Sequence, residues 1–174
     1  SIEQKATSHN PRSTVGTITE IYDYLRLLYA RVGTPKCPEH QVPLSSQTIS
    51  QMVDSILELP EDEKILILAP IVQNRKGSHK KLLEELSHQG FLRARVDGEI
   101  LLLDELDDLD GAKFHTIEIV VDRLKVRKDI SSRLSESLET AVNMSAGIVK
   151  IGPMEEAVDW QEMTFSSKFS CTHC

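Results

Sequence analysis

Two short phrases at opposite ends of the chain constrain its fold more than anything between them. They are Cys37-Pro38-Glu39-His40 and Cys171-Thr172-His173-Cys174. In each, two soft ligands stand three residues apart, the spacing at which a knuckle turns both side chains onto one ion. Together Cys37, His40, Cys171 and Cys174 make a Cys3His set, the closed tetrahedral donor set of structural zinc. The sequence has 3 cysteines, all of them in these phrases. If one zinc takes all four ligands, residues 41–170 are an excursion whose two ends are clamped together, and its surface is where function is expected. Other readings stay open. A lone C-x-x-H arises easily by chance, and the C-x-x-C is also compatible with half of a finger completed beyond residue 174. A redox pair lacks the strand-to-helix setting it needs. His173 reads as a spacer.

A length of 174 residues, 40% of them apolar, suits one domain or a domain with an arm. The net charge of −7 does not support nucleic-acid binding through a globally basic surface, though it leaves room for a local basic patch. An odd cysteine count with a knuckle argues against a disulfide framework and for a reducing cytoplasm. No apolar run is long enough to span a bilayer, and no charged-then-apolar leader opens the chain. Because it starts without Met and stops on a ligand, it is expected to be an excerpt from a larger protein.

Thr17-Ile18-Thr19-Glu20 has the form of a capping box, followed by apolar residues at helical spacing from Ile18 to Val32, with Gly33 as the stop. A second helix is predicted over 46–59. Lys64 to Val72 is almost wholly apolar, as in a central buried strand. Asn74-Arg75-Lys76-Gly77 reads as a turn, with Ser78 capping a helix through Ser87. Phe91 to Val96 alternates, Asp97-Gly98 marks a hairpin, and Glu99 to Leu103 returns. Asp104 to Gly111 is an acidic loop. His115 to Val126 is a strand in which Ile117, Ile119 and Val121 alternate with Glu118, Val120 and Asp122. Asp129 caps a helix over 130–144, and strands follow at 148–151 and 161–169. The fold class is α/β or α+β: a mixed-sheet module of about five strands and three helices on a helical stem, its neck closed by zinc.

No phosphate loop, dinucleotide fingerprint or nucleophile elbow occurs. Asp107, Asp108 and Asp110 suit a solvated loop better than a cation site, so nothing points to catalysis within this segment. The arginines are more informative. Arg93 and Arg95 stand at i and i+2 of one strand and share a face, as do Arg123, Lys125 and Arg127 at the end of another. Arg75 sits in a turn. If the strands are neighbours, several guanidiniums converge on an otherwise acidic protein. A solvated sheet face, a docking patch for an acidic partner and a phosphate contact are all compatible with that arrangement.

Specific phrases now carry a resemblance. Ser1-Ile2-Glu3-Gln4-Lys5, Asn10-Pro11-Arg12-Ser13-Thr14-Val15-Gly16-Thr17 and Glu20-Ile21-Tyr22-Asp23-Tyr24-Leu25-Arg26 resemble the UvrA family. So do Cys37 to His40, Leu68-Ala69-Pro70-Ile71-Val72, Arg75-Lys76-Gly77, Gly90 to Gly98, Val120-Val121-Asp122-Arg123 and Ser166 to Cys174. The resemblance implies a dimeric, twin-cassette ABC ATPase of bacterial nucleotide excision repair and the SOS response. Such a protein uses ATP and magnesium in its full-length form and loads UvrB onto damaged DNA. On this basis residues 1–40 carry a Q-loop end and a signature-domain helix with the first knuckle. Residues 41–170 are then the inserted UvrB-binding domain, and residues 171–174 the second knuckle. Gln4 matches the Q-loop glutamine. Walker and signature sequences are missing, so no catalysis is expected of the segment itself. The family has a further C-x-x-C beyond this chain, which keeps the truncated finger open. Arg93, Arg123, Arg95 and, in support, Arg75 are expected to face an acidic surface of UvrB. The alternative is a zinc-stabilised module that touches DNA.

Overall fold

The computed structural model describes residues 19–41, 46–106, 108–155 and 159–168. Gln4, Thr17, Ile18, Asp107, Cys171 and Cys174 lie outside the described residues. The chain divides into two compact units, residues 1–44 and 45–174. The first carries helix α1 (Ile21–Val32). Glu20, expected inside a capping box, instead stands just before the helix with φ 60 and makes no side-chain cap. Gly33 follows α1 in extended backbone, where a side chain does not fit: a Cβ there would lie 2.5 Å from the Tyr29 carbonyl oxygen. No residue of α1 is buried, and Ile21, Leu25, Leu28 and Val32 stay exposed.

The second unit is a six-stranded sheet with helices on one face. Its elements run α2 (Ile49–Leu57), β1 (Lys64–Lys76), α3 (Lys80–His88), β2 (Arg93–Val96) and β3 (Glu99–Leu102). After these come β4 (Phe114–Lys125), α4 (Ser131–Met144), β5 (Ile148–Pro153) and β6 (Met163–Ser166). Strand order is β3-β2-β4-β1-β5-β6. Every neighbouring pair is antiparallel, so the expected mixed sheet is corrected to an antiparallel one with one more strand. Among the described residues no helix is long and apolar enough to cross a membrane.

Local chemistry explains these elements. Thr48 and Gln51 close a reciprocal capping box on α2, which places Met52, Val53 and Ile56 in the core. In β1, Ile65, Ile67 and Ala69 face the helices while Leu66 and Leu68 face the other side. That is why a central strand reads as one unbroken apolar run. Two readings near its end are corrected. The strand continues through Asn74 and Arg75 to Lys76, where a turn was expected, because Arg75 and Lys76 pair with His115 and Phe114. Ser78 does not cap α3; His79, at φ 49, precedes it without a side-chain cap. Asp129 likewise lies in a short 3-10 turn before α4 rather than at its cap.

One irregularity matters for function. Ile67 pairs with Asp122 but Leu68 pairs with Val120, so Val121 is an extra residue in β4. A bulge of this kind shifts the side-chain parity of everything after it. Before it, Ile117 and Ile119 face the helices; after it, Asp122, Leu124 and Val126 do. Strict alternation would have sent Arg123 into the core. The bulge delivers it to the helix-free face.

The Asp97-Gly98 turn has φ 51 and 98, the left-handed pair of a type I′ hairpin. Asp97 accepts from the Thr116 N–H at 2.8 Å and lies 2.7 Å from His115 Nδ1. His115 Nε2 lies 3.0 Å from the Asp110 carbonyl, and the His79 ring meets His115 edge-on. A carboxylate and a carbonyl only accept, so both imidazole nitrogens must donate and the ring must be charged for both bonds to form. His115 is 6% exposed. The Asp97 hydrogen bond, then the Asp110 contact, raise its pKa above the ordinary 6.5. The stability this ring contributes is fully present below about 6.5 and is lost as pH rises through its raised folded value. An NMR titration is expected to place His115 above the ordinary histidine range; a value at or below that range would sink the account.

Candidate functional site

The helix-free face of the sheet gathers the charged groups. Arg93 on β2 and Arg123 at the end of β4 both line a cavity of about 140 Å³, with Leu66, Val120, Ile100 and Met154 as its apolar wall. Leu66 is 3% and Val120 7% exposed, so the cavity has a deep apolar floor. Neither guanidinium has an acidic partner among the described residues. Their neighbours do: Arg133 makes a two-pronged pair with Asp122 at 2.8 and 2.9 Å, and Arg127 pairs with Asp62 at 2.8 Å. Arg127 therefore does not join the cluster, as the shared strand end had suggested.

Beside the cavity lies a balanced ion network. Glu118, opposite Arg95 in the β2–β4 register, is 3% exposed and bonded to Arg95. Its other oxygen is 2.8 Å from Lys150 on β5. Arg95 also reaches Glu162 at 2.6 Å, and Lys150 reaches it at 3.4 Å. Burial alone raises the Glu118 carboxyl; the hydrogen bonds and charges of Arg95 and Lys150 outweigh it, and the net direction is down. Two cations and two anions thus bridge β2, β4, β5 and the approach to β6.

This geometry sorts the expected arginines. Arg93 and Arg123 are brought together. Arg95 shares their face but its guanidinium is held by two carboxylates, so it braces the sheet rather than facing outward. Arg75 is not brought near: it pairs with His115 at the far end of β1. Arg123 pairs with Leu66, and the nine residue steps from position 66 to position 75 span roughly 30 Å. Sequence reasoning missed Ile100, Met154 and the network. Leu66 was visible as part of an apolar run, but a lone Met in an acidic loop carries no signal of its own.

Cys37 and His40 are brought together. Cys37 is 2% exposed, its Sγ lies 3.6 Å from His40 Nδ1, and the His40 N–H donates to Sγ at 3.4 Å. Zinc at about 2.3 Å from sulfur and about 2.0 Å from nitrogen in a tetrahedron separates the two ligand atoms by about 3.5 Å. The pair therefore fits a zinc ion on geometry as well as on chemistry. Among the described residues, no group of three or more metal-ligating side chains occurs, in the acidic loop or elsewhere.

A family model described as the UvrA interaction domain matches residues 47–155, which include the whole of the cavity. The chain is similar to "UvrABC system protein A" of Vibrio vulnificus, 65% identical over 174 residues. It is 64% identical to the protein of that name in Vibrio cholerae and 59% to that of Pseudomonas aeruginosa, again over 174 residues. Each match covers 100% of this chain and 18% of the relative, so the chain spans under a fifth of their length. With the family model covering most of its sheet unit, the chain belongs to the UvrA interaction domain family.

Proposed function

We propose that the helix-free face docks UvrB, so that a longer repair ATPase containing this segment can load UvrB at damaged DNA. One observation carries the reading: Arg93 and Arg123 flank one cavity over an apolar floor, and neither has an acidic partner among the described residues while the charged groups around them do. An unpaired guanidinium beside apolar surface suits a carboxylate brought by a partner, because Arg offers a planar, weakly hydrated fork. Phosphate is a poorer fit. Glu118 and Glu162 border the patch, and no Phe, Tyr or Trp lines the cavity for base stacking. Titrating the purified chain against UvrB and against damaged duplex separates the two. Saturable binding to UvrB is expected; duplex binding with a steep salt dependence and none to UvrB would overturn the reading.

ATP hydrolysis, magnesium, dimerisation and damage recognition are assigned to the rest of the longer protein, since this sequence has no glycine-rich loop to cradle phosphates. The zinc would be structural: Cys37, His40, Cys171 and Cys174 supply four protein ligands and leave no open position. About one zinc per chain is expected by elemental analysis, and Cys37→Ala is expected to lose it. A Cys37→Ala protein that keeps its metal would refute the assignment. Circular dichroism of the chelated protein should retain the sheet, whose core is built from β1, β4, β5, α2 and α4.

A further inference from the structure

We propose that the cavity between Arg93 and Arg123 takes a single aliphatic or thioether side chain of the docking partner, with a partner carboxylate on each guanidinium. This rests on the docking reading above and adds what the partner must look like. An apolar cavity of about 150 Å³ is large enough to bind benzene; the cavity here, about 140 Å³, is therefore sized for one Leu, Ile or Met side chain. The only polar side chains that line it are the two guanidiniums, which donate but cannot accept. Ile100 supports the same conclusion. It stands on β3, the edge strand of the sheet, 45% exposed beside the cavity, where it adds apolar contact area for an incoming segment.

The charge pattern selects the flanks. The acidic residues of β4 beside the cavity are already committed, Glu118 to Arg95 and Lys150, and Asp122 to Arg133 and Ser137. Two positive charges are thus left at one spot on a chain of net charge −7. A phosphate could answer the guanidiniums but would leave the apolar floor uncovered. A protein segment carrying acidic residues around one apolar side chain covers both.

Two surface variants of the full chain test the anchor against purified UvrB: Ile100→Ala and Met154→Ala, with Arg93→Glu and Arg123→Glu alongside. Each alanine is expected to weaken binding about tenfold with the salt dependence unchanged, and to make the heat-capacity change of binding less negative. The charge reversals are expected to abolish binding. Alanine variants that match the parent in affinity and heat capacity, while the reversals abolish binding, would overturn the anchor and leave the docking reading standing. Reversals that also match the parent would remove both.

Discussion

Arg93→Glu and Arg123→Glu are each expected to abolish UvrB binding while fold and zinc content stay as in the parent. Arg93 is half-buried and Arg123 exposed, and neither packs into the helix-covered core, so reversal has little to disturb in the folded chain. The cost falls on the complex. Truncating one partner of a desolvated charge pair typically costs about 2–5 kcal/mol, roughly 30-fold to a few thousandfold in affinity. Reversal adds repulsion from the carboxylate left facing it. Lys81→Glu, on the exposed side of α3, serves as the control and should bind as the parent does. Lys80 is also expected to be tolerant, because its pair with Asp108 at 2.9 Å is solvent-exposed and screened. Binding should weaken as salt rises, less steeply than a contact that releases counterions from DNA. Parent-like binding by both reversals would place the docking surface elsewhere on the sheet unit.

How the two arginines come to share a cavity shows where sequence reading stops. The hairpin at Asp97-Gly98, the unbroken apolar run of β1 and the amphipathic face of α4 were each legible, because each is a local signal with one physical cause. Arg93 and Arg95 on one face of β2 followed from strand parity. Arg123 did not, because the count from Ile117 runs through a bulge, and a bulge depends on register with the partner strand rather than on the residues alone. The same is true of the sheet. Antiparallel order β3-β2-β4-β1-β5-β6 depends on which strands meet, and no single strand encodes its neighbours. The far end of β1 was missed for a related reason. Asn74 has φ 45 and has turn-like chemistry, yet pairing with Phe114 and His115 holds the segment in the sheet. Arg95 illustrates the limit for sites: parity placed it correctly, but its role depends on Glu118 and Glu162, which lie 23 and 67 positions along the chain.

Glu118→Gln is expected to be the most destabilising single change on the helix-free face. Glu118 is buried and bonded to Arg95 and Lys150, so removing its charge leaves two cations facing a single remaining carboxylate, Glu162. Breaking a buried pair from one side costs about 3–5 kcal/mol, and because Glu162 stays in contact with both cations the lower end, about 3 kcal/mol, is expected. Urea unfolding at neutral pH measures it. The double variant Arg95→Met/Glu118→Leu should recover much of the loss, since it removes one charge of each sign, fills the space with apolar atoms and leaves Lys150 beside Glu162. The pH dependence has a definite sign. The Glu118 carboxyl is held below its ordinary value in the folded chain, so its contribution is present above the unfolded value of about 4.3 and is lost as pH falls through the folded one. Glu118→Gln should therefore flatten part of the acid limb of the stability curve as well as lower its plateau. A variant within about 0.5 kcal/mol of the parent, the range of an ordinary surface change, would mean that the network is solvated and that the rigidity of the docking face has another source.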